Sequence, residues 1–284
     1  MRLRSGSTGT PPMESTILED LHRRGKAPDS SSGQTAHEAG DRSATELASI
    51  AADRRSRFRM IRLGVENLEA GLVVSRHRHA AGYATIVLAG SFEEASFAGR
   101  FIAGPGDVLL HGAFDCHANW ITSRCSLKIL RLPWCDNLLE GLFRVADPDA
   151  LARLAERDPI EAMNQLRANL IQIGSAKFHW TERLAYALRV QTFTRLDTWA
   201  DSERLAPETV SRGFHRAFGV TPKVFRIESR ARRAWNLLLR SSSPLTEIAH
   251  QMGFADHAHL SRSVVALTGA PPSYWRTRGE VLRI

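Results

Sequence analysis

The sequence predicts a multidomain α+β protein, with a β-rich front domain followed by an all-α rear domain. Three observations carry this. Between Phe58 and Leu132, short apolar or alternating runs are separated by Gly or Pro, the pattern of strands and tight turns that makes a small sandwich or barrel. After Trp134 the apolar residues recur at three- and four-residue spacing, which is the period of helices. Finally, the pattern Gly-x-x-Pro-x-x-aromatic-Arg occurs twice, as GVTPKVFR from Gly219 and as GAPPSYWR from Gly269, 50 residues apart. A helical unit that repeats once in a basic region suggests two copies of one binding device and a polymer ligand with a repeat of its own.

Bulk composition sets the outer limits. A chain of 284 residues with 43% apolar content can bury the cores of two domains. The net charge of +8 favours an anionic partner. From residue 196 onward there are 13 Lys/Arg against 8 Asp/Glu, and 25 against 22 before it, so the C-terminal third is the more basic per residue. Cys116, Cys125 and Cys135 lie 9 and 10 residues apart. That spacing suggests neither a disulfide framework nor a zinc site, and it fits a reducing cytoplasm. No stretch approaches eighteen consecutive apolar residues, so no membrane span is expected. The N-terminus lacks the apolar core of a signal peptide, and a cytoplasmic location is expected.

Residues 1–56 are rich in Ser, Thr, Gly, Pro and charge, and they are expected to be a disordered tail with at most short helices near Ile17–Leu21 and Glu46–Ala52. The strand-like runs follow over residues 57–135: Phe58–Leu63, Gly71–Ser75, Tyr83–Ala89, Phe92–Phe97, Asp107–Leu110 and Leu127–Leu132. Residues 136–177 read as helical. There Asp147-Pro148 and Asp158-Pro159 each pair an N-cap with a proline suited to the first helical position. Leu138, Leu142, Phe143, Met163, Leu166, Leu170 and Ile171 could pair two subunits or pack on the barrel. Thr181 and Glu182 open the next helix.

The second copy of the repeat is the cleaner. Leu245 to Met252 is helical, with Ile248, Ala249 and Met252 inward. Gly253 can take the left-handed turn that ends it, and Phe254 plugs the core. Asp256 caps a second helix bearing Leu260, Val264 and Leu267, and Gly269 ends it. This is a helix-turn-helix. The first copy answers it with Leu196, Trp199 and Ala200, then Leu205, then Val210, Phe214 and Phe218. Two positions depart: Arg204 stands where the second copy has Gly253, and no side-chain cap precedes Pro207. Between the copies, Val224, Ile227, Ala231, Ala234, Trp235 and Leu238 mark an amphipathic rod from Pro222 to about Arg240. A rod of that length could set two reading helices into successive major grooves, about 34 Å apart.

The region from Phe178 to the C-terminus resembles the AraC/XylS family of transcription regulators. The residues that carry the resemblance are Leu196/Ala200, Arg212/Phe214, GVTPKVFR, ARRAWNLL (Ala231–Leu238), IAHQMGF (Ile248–Phe254), HLSR (His259–Arg262) and GAPPSYWR. The resemblance implies sequence-specific binding of double-stranded promoter DNA and control of initiation, usually activation through contact with RNA polymerase. The family's base-contacting positions fall here on Glu208, Thr209, Ser211 and Arg212, and on His257, Ala258, His259, Ser261 and Arg262. Arg212 and Arg262 suit guanine edges or phosphate, and Arg216 and Lys223 suit phosphate. Ser263, Val264, Val265 and Ala266 follow Arg262 where the family usually has basic residues, so the first unit is expected to dominate specificity.

The front domain resembles a cupin. Gly71, His77, His79 and Gly90 fall at the spacing of the first cupin motif, with Tyr83 in place of its Glu, and Gly99, Gly104–Asp107 and His117 resemble the second. His77, His79 and His117 could supply three nitrogens to a metal, and a metal-dependent cupin enzyme is the alternative reading. The family's front domain is a cupin-like barrel, usually metal-free, that senses small molecules. The expectation is therefore no metal, no cofactor and no catalysis. A small-molecule effector is expected at His77, His79, Tyr83, His111, His117 and Trp120, with Arg76, Arg78 and Arg100 favouring an anion or solvating the rim. The resemblance also implies a homodimer.

Overall fold

A computed structural model describes residues 58–135, 139–173, 179–190 and 195–281. The expected tail, its two short helices and Leu138 lie outside these residues.

The front part consists of antiparallel strands: β1 (Gly64–Leu68), β2 (Val73–Arg78), β3 (Tyr83–Ala89), β4 (Phe92–Ala95), β5 (Arg100–Ala103), β6 (Asp107–His111), β7 (Cys116–Ile121), β8 (Leu127–Pro133), β9 (Gly141–Arg144) and β10 (Ile171–Gln172). They form a six-stranded sheet, β1-β8-β3-β6-β9-β10, and a four-stranded sheet, β2-β7-β4-β5. Alternate residues of each sheet fill the space between them, so Val74, Val87, Phe92, Phe101, Leu109, Ile121, Leu127 and Ile129 make one core.

The strands at Tyr83–Ala89 and Leu127–Pro133 stand where the alternation predicts them. The run Phe58–Leu63 is not a strand. Met60 is 85% exposed and Leu63 57%, so a strand there would have no face to bury. Phe58 instead lays its ring on Phe114, with centroids 5.7 Å apart, and pairing begins at Gly64. The sheet also runs past residue 135 into the stretch expected to be helical. β9 pairs with β6, Val108 opposite Phe143, and four residues are too few to display a period in sequence.

Helices α1 (Pro148–Ala155) and α2 (Pro159–Ala168) then cross the outer face of the larger sheet. Asp147 accepts the Ala150 N–H at 2.7 Å and Asp158 the Glu161 N–H at 2.9 Å, the expected N-caps. Leu151, Ala152, Ala162 and Leu166 pack with Ala84, Ile86, Leu130, Leu132, Trp134 and Phe143. Each large side chain so buried contributes about 1.5–3 kcal/mol. Phe143, Met163 and Leu166, offered by the sequence as a surface for a second subunit, are buried in the chain's own core.

The rear part is helical throughout: α3 (Trp180–Val190), α4 (Leu196–Ser202), α5 (Pro207–Phe218), α6 (Pro222–Arg240), α7 (Leu245–Gln251), α8 (His257–Thr268) and α9 (Pro272–Val281). α4–α5 and α7–α8 are the two helix-turn-helix units, and α6 joins them. At 1.5 Å per residue α6 is about 28 Å long. On its inward face Phe225 stands where the sequence expected Val224, which is 41% exposed. Phe225 closes a ring cluster in the first unit, 5.4 Å from both Phe214 and Phe218, which themselves stack at 4.7 Å.

One core joins the rear helices to the outer side of the smaller sheet. Phe97 meets Phe225 at 5.5 Å. Phe114 inserts beside Trp235 at 4.9 Å and Trp275 at 5.5 Å. Arg232 of α6, nearly buried, pairs with Glu140 and donates to the Ala113 carbonyl at 3.0 Å.

Candidate DNA interface and barrel site

The two units share their backbone chemistry as well as their sequence pattern. In the first, Arg204 turns the chain at φ 55° and the Leu205 N–H donates to Ala200 O at 2.9 Å. In the second, Gly253 turns it at φ 71° and the Phe254 N–H donates to Ala249 O at 2.8 Å. α5 ends at Gly219 (φ 72°) and α8 at Gly269 (φ 73°), both left-handed. A side chain resists that conformation, which is why the repeat keeps glycine there. The starts differ as the sequence predicts. Ala206 offers α5 no side-chain cap, whereas Asp256 accepts the His259 N–H at 2.6 Å.

Each reading helix has one buried stripe and one open face. Val210, Phe214 and Phe218 on α5, and Leu260, Val264 and Leu267 on α8, are 0–2% exposed. On the open face Glu208, Thr209, Arg212 and Arg216 are exposed and Ser211 half-buried. On α8, His257 and Arg262 are exposed, while Ala258, His259 and Ser261 are half-buried. Two of these have additional work: the Ser261 hydroxyl donates to His257 O at 2.8 Å, and the His259 ring stands edge-on to Phe254 at 5.2 Å. Lys223 is exposed at the start of α6.

In the barrel, strand pairing assembles a histidine cluster. A bulge in β2 shifts the register between Val74, opposite Asn119, and His77, opposite His117. The extra residue turns both Val74 and His77 to the inside. The rings of His77 and His117 lie 4.4 Å apart, those of His77 and His79 4.9 Å, and those of Tyr83 and His111 4.5 Å. Tyr83 and His117 Nε2 share a hydrogen bond of 3.0 Å. Five of the six residues expected at the effector site therefore converge. Trp120 does not. His117 and Asn119 face inward on β7, so Trp120 faces outward, and it packs against the core shared with the helices.

The tertiary structure adds partners to this cluster. His111 is held between Asp115 (Nδ1–Oδ2 3.0 Å) and Glu94 (Nε2–Oε2 3.5 Å). Burial works against charge on His111, but Glu94 and Asp115 outweigh it and raise its pKa. Burial pushes the Glu94 carboxyl up to about 7. It pushes His79 down to about 3 and lowers His77 and His117 too, so these three rings are neutral near pH 7. Thr85, Glu94, Asn119 and Arg131 join Tyr83 around a space of about 10 Å³, roughly the room of one water molecule. Asp115 and Asn119 lie two residues either side of His117, and strand parity in the sequence could have marked them. Glu94 and Arg131 come from strands whose register only the fold supplies.

The cluster has the donors for a metal ion. One nitrogen each from His77, His79 and His117 lie within 4.8 Å of one another. The Nδ1 atoms of His77 and His79 are bonded to Ser75 O and Arg59 O at 2.9 and 2.5 Å, which leaves both Nε2 atoms available. A second group is His111, Asp115 and His117. The three arginines expected at the rim are engaged elsewhere. Arg100 pairs with Glu93 and Glu182, and Arg76 and Arg78 reach the rear helices.

Residues 199–278 match the helix-turn-helix domain family. No curated protein matches the sequence. Among solved structures, the chain is similar to unsaturated-fatty-acid-bound ToxT from Vibrio cholerae strain SCE256, at 12% identity over 76% of this chain and 94% of that one, with a TM-score of 0.36. It is similar to the C-terminal domain of AraT, a response regulator from Geobacillus stearothermophilus, at 21% over 34% and 83%, with a TM-score of 0.33. It is also similar to the DNA-binding domain of the global transcriptional factor AdpA in complex with a target DNA, at 24% over 36% and 95%, with a TM-score of 0.34. Among the described residues, no helix is long and apolar enough to cross a membrane. The two units of one construction, α4–α5 and α7–α8, fall almost wholly inside the matched span, so the C-terminal part of the chain is a helix-turn-helix domain.

Proposed function

We propose that this protein is a sequence-specific transcription regulator, controlled by a small molecule held at the histidine cluster and acting as an activator through RNA polymerase. One observation supports it above the others. The same faces of α5 and α8 that carry Arg212 and Arg262 are open, while the opposite faces are fully buried. Arg212 and Arg262 read base edges or clamp phosphate, and Arg216 and Lys223 hold phosphate. The space beside Tyr83, Glu94 and Arg131 is about 10 Å³, so an organic effector entering there displaces one of these side chains. Residues 57–135 and 136–177 serve as sensor and connector. A homodimer would present four reading helices, on a surface other than Phe143, Met163 and Leu166.

The test is DNA binding by the full chain at several salt concentrations. Arg212→Ala and Arg262→Ala should each weaken binding by about 1–3 kcal/mol and lower the salt slope by about one. Unchanged binding in both variants would refute the assignment. The three converging histidines favour a second reading, a metal-dependent enzyme. Stoichiometric metal in the purified protein, lost in His77→Ala, would promote it; metal-free protein would remove it.

A further inference from the structure

Arg76 and Arg78 stand two residues apart on β2, past the bulge that turns His77 inward, and both point away from the barrel. The Arg76 guanidinium donates to Phe218 O at 3.4 Å, the last residue of α5, and to Glu228 Oε2 on α6 at 3.0 Å. It lies between the rings of Phe97 and Phe225, at 5.3 and 5.6 Å, and its side chain is 7% exposed. The Arg78 guanidinium donates to Ala266 O at 3.0 Å and Leu267 O at 3.1 Å, in the last turn of α8. Gly219 completes the contact: a Cβ there would meet the Arg76 Cβ at 3.4 Å.

The last carbonyls of any helix lack partners within it, and the C-terminal end carries partial negative charge. A guanidinium satisfies both needs. Here one strand does so for both reading helices, while their DNA-facing residues stay open. Along the chain, the two units are linked by α6 and its turns at Gly219–Thr221 and Ser241–Pro244.

We propose that Arg76 and Arg78 are positioning residues. They fix the C-terminal ends of α5 and α8 to one strand and so set the single spacing at which the two helices read DNA. This rests on the DNA-reading role of α5 and α8. It adds that the barrel, rather than α6 alone, determines the geometry of the pair.

The test is selection of duplexes from a randomised library by the full-length chain. The wild-type protein should enrich two sub-motifs at one separation. Arg76→Gln/Arg78→Gln should enrich the same sub-motifs at several separations and bind the wild-type site about tenfold more weakly. Arg76→Lys/Arg78→Lys keeps a cation at both helix ends and should restore the single separation. If the double Gln variant does not fold, judged by its melting transition, Arg78→Gln alone decides, since that guanidinium is partly solvated. A Gln variant that keeps one separation, with affinity within twofold of wild type, overturns the proposal. A wild-type protein that enriches a single sub-motif also overturns it. Enrichment of no motif overturns the DNA-reading role itself.

Discussion

Arg204 is the place where the repeated unit breaks its own rule, and substituting it measures the cost. Its φ of 55° is left-handed, which an L side chain occupies at a cost of about 1–2 kcal/mol. The second copy has Gly253 at the same point of the turn, at φ 71°. The Arg204 side chain is exposed, so removing it loses little contact. Arg204→Gly relieves the strain but adds freedom to the unfolded chain, worth about 0.4–1 kcal/mol against folding. The net gain is about 0.5–1 kcal/mol. For a body of this size that raises Tm by about 1–4 °C. Gly253→Ala should lower stability by a similar amount. Arg204→Ala is the control, because it removes the side chain and keeps the strain. Thermal and urea unfolding of the four proteins, fitted together, gives the numbers. If Arg204→Gly is no more stable than Arg204→Ala, the left-handed turn is not strained and the reasoning fails.

Other expectations follow from the cores and the cluster. Phe214→Ala empties the ring cluster of the first unit and should cost about 3–5 kcal/mol in urea unfolding. Thr268→Val removes the acceptor of the Trp275 indole N–H, 2.8 Å away and partly buried; it should cost about 1–3 kcal/mol, whereas Thr268→Ser should cost less than half of that. His79 titrates at about 3 in the folded protein and near 6.5 unfolded. The unfolded chain therefore binds the extra proton, and stability rises with pH across that window. Glu94 is the reverse case. Its folded value of about 7 exceeds the ordinary 4.5, so its contribution falls as pH rises from about 4.5 to 7. Between about pH 3 and 4.5 the unfolding free energy should rise less with pH in His79→Gln, and between about 6.5 and 7 it should fall less in Glu94→Gln; from 4.5 to 6.5, where the two slopes oppose, His79→Gln should make the slope more negative and Glu94→Gln more positive. Slopes unchanged in both would refute the assigned shifts.

Residues with strong local signatures were legible. The caps at Asp147, Asp158 and Asp256 and the terminating Gly219 and Gly269 each depend on a few neighbouring residues, and all occur as the sequence predicts. The seven-residue strands β3 and β8 were visible; of the four-residue strands, β4 fell within the run Phe92–Phe97, whereas β5 and β9 escaped because two periods do not rise above chance. Trp120 was misplaced although it stands three residues from His117 on β7, a separation that puts it on the opposite face of the strand.

The sequence by itself determined that this chain carries a doubled helix-turn-helix, down to the residues that start, turn and end each helix. Those features are local, and the 50-residue echo makes them visible twice. Only the tertiary structure decided what Glu94, Arg131, Arg76 and Arg78 do. Glu94 and Arg131 meet the histidines through strand register. Arg76 and Arg78 meet helix ends 142 and 188 residues away in the chain. Such contacts have no period and no spacing to read; they exist because a strand's alternation and a bulge aim those two side chains at carbonyls that folding brings within reach.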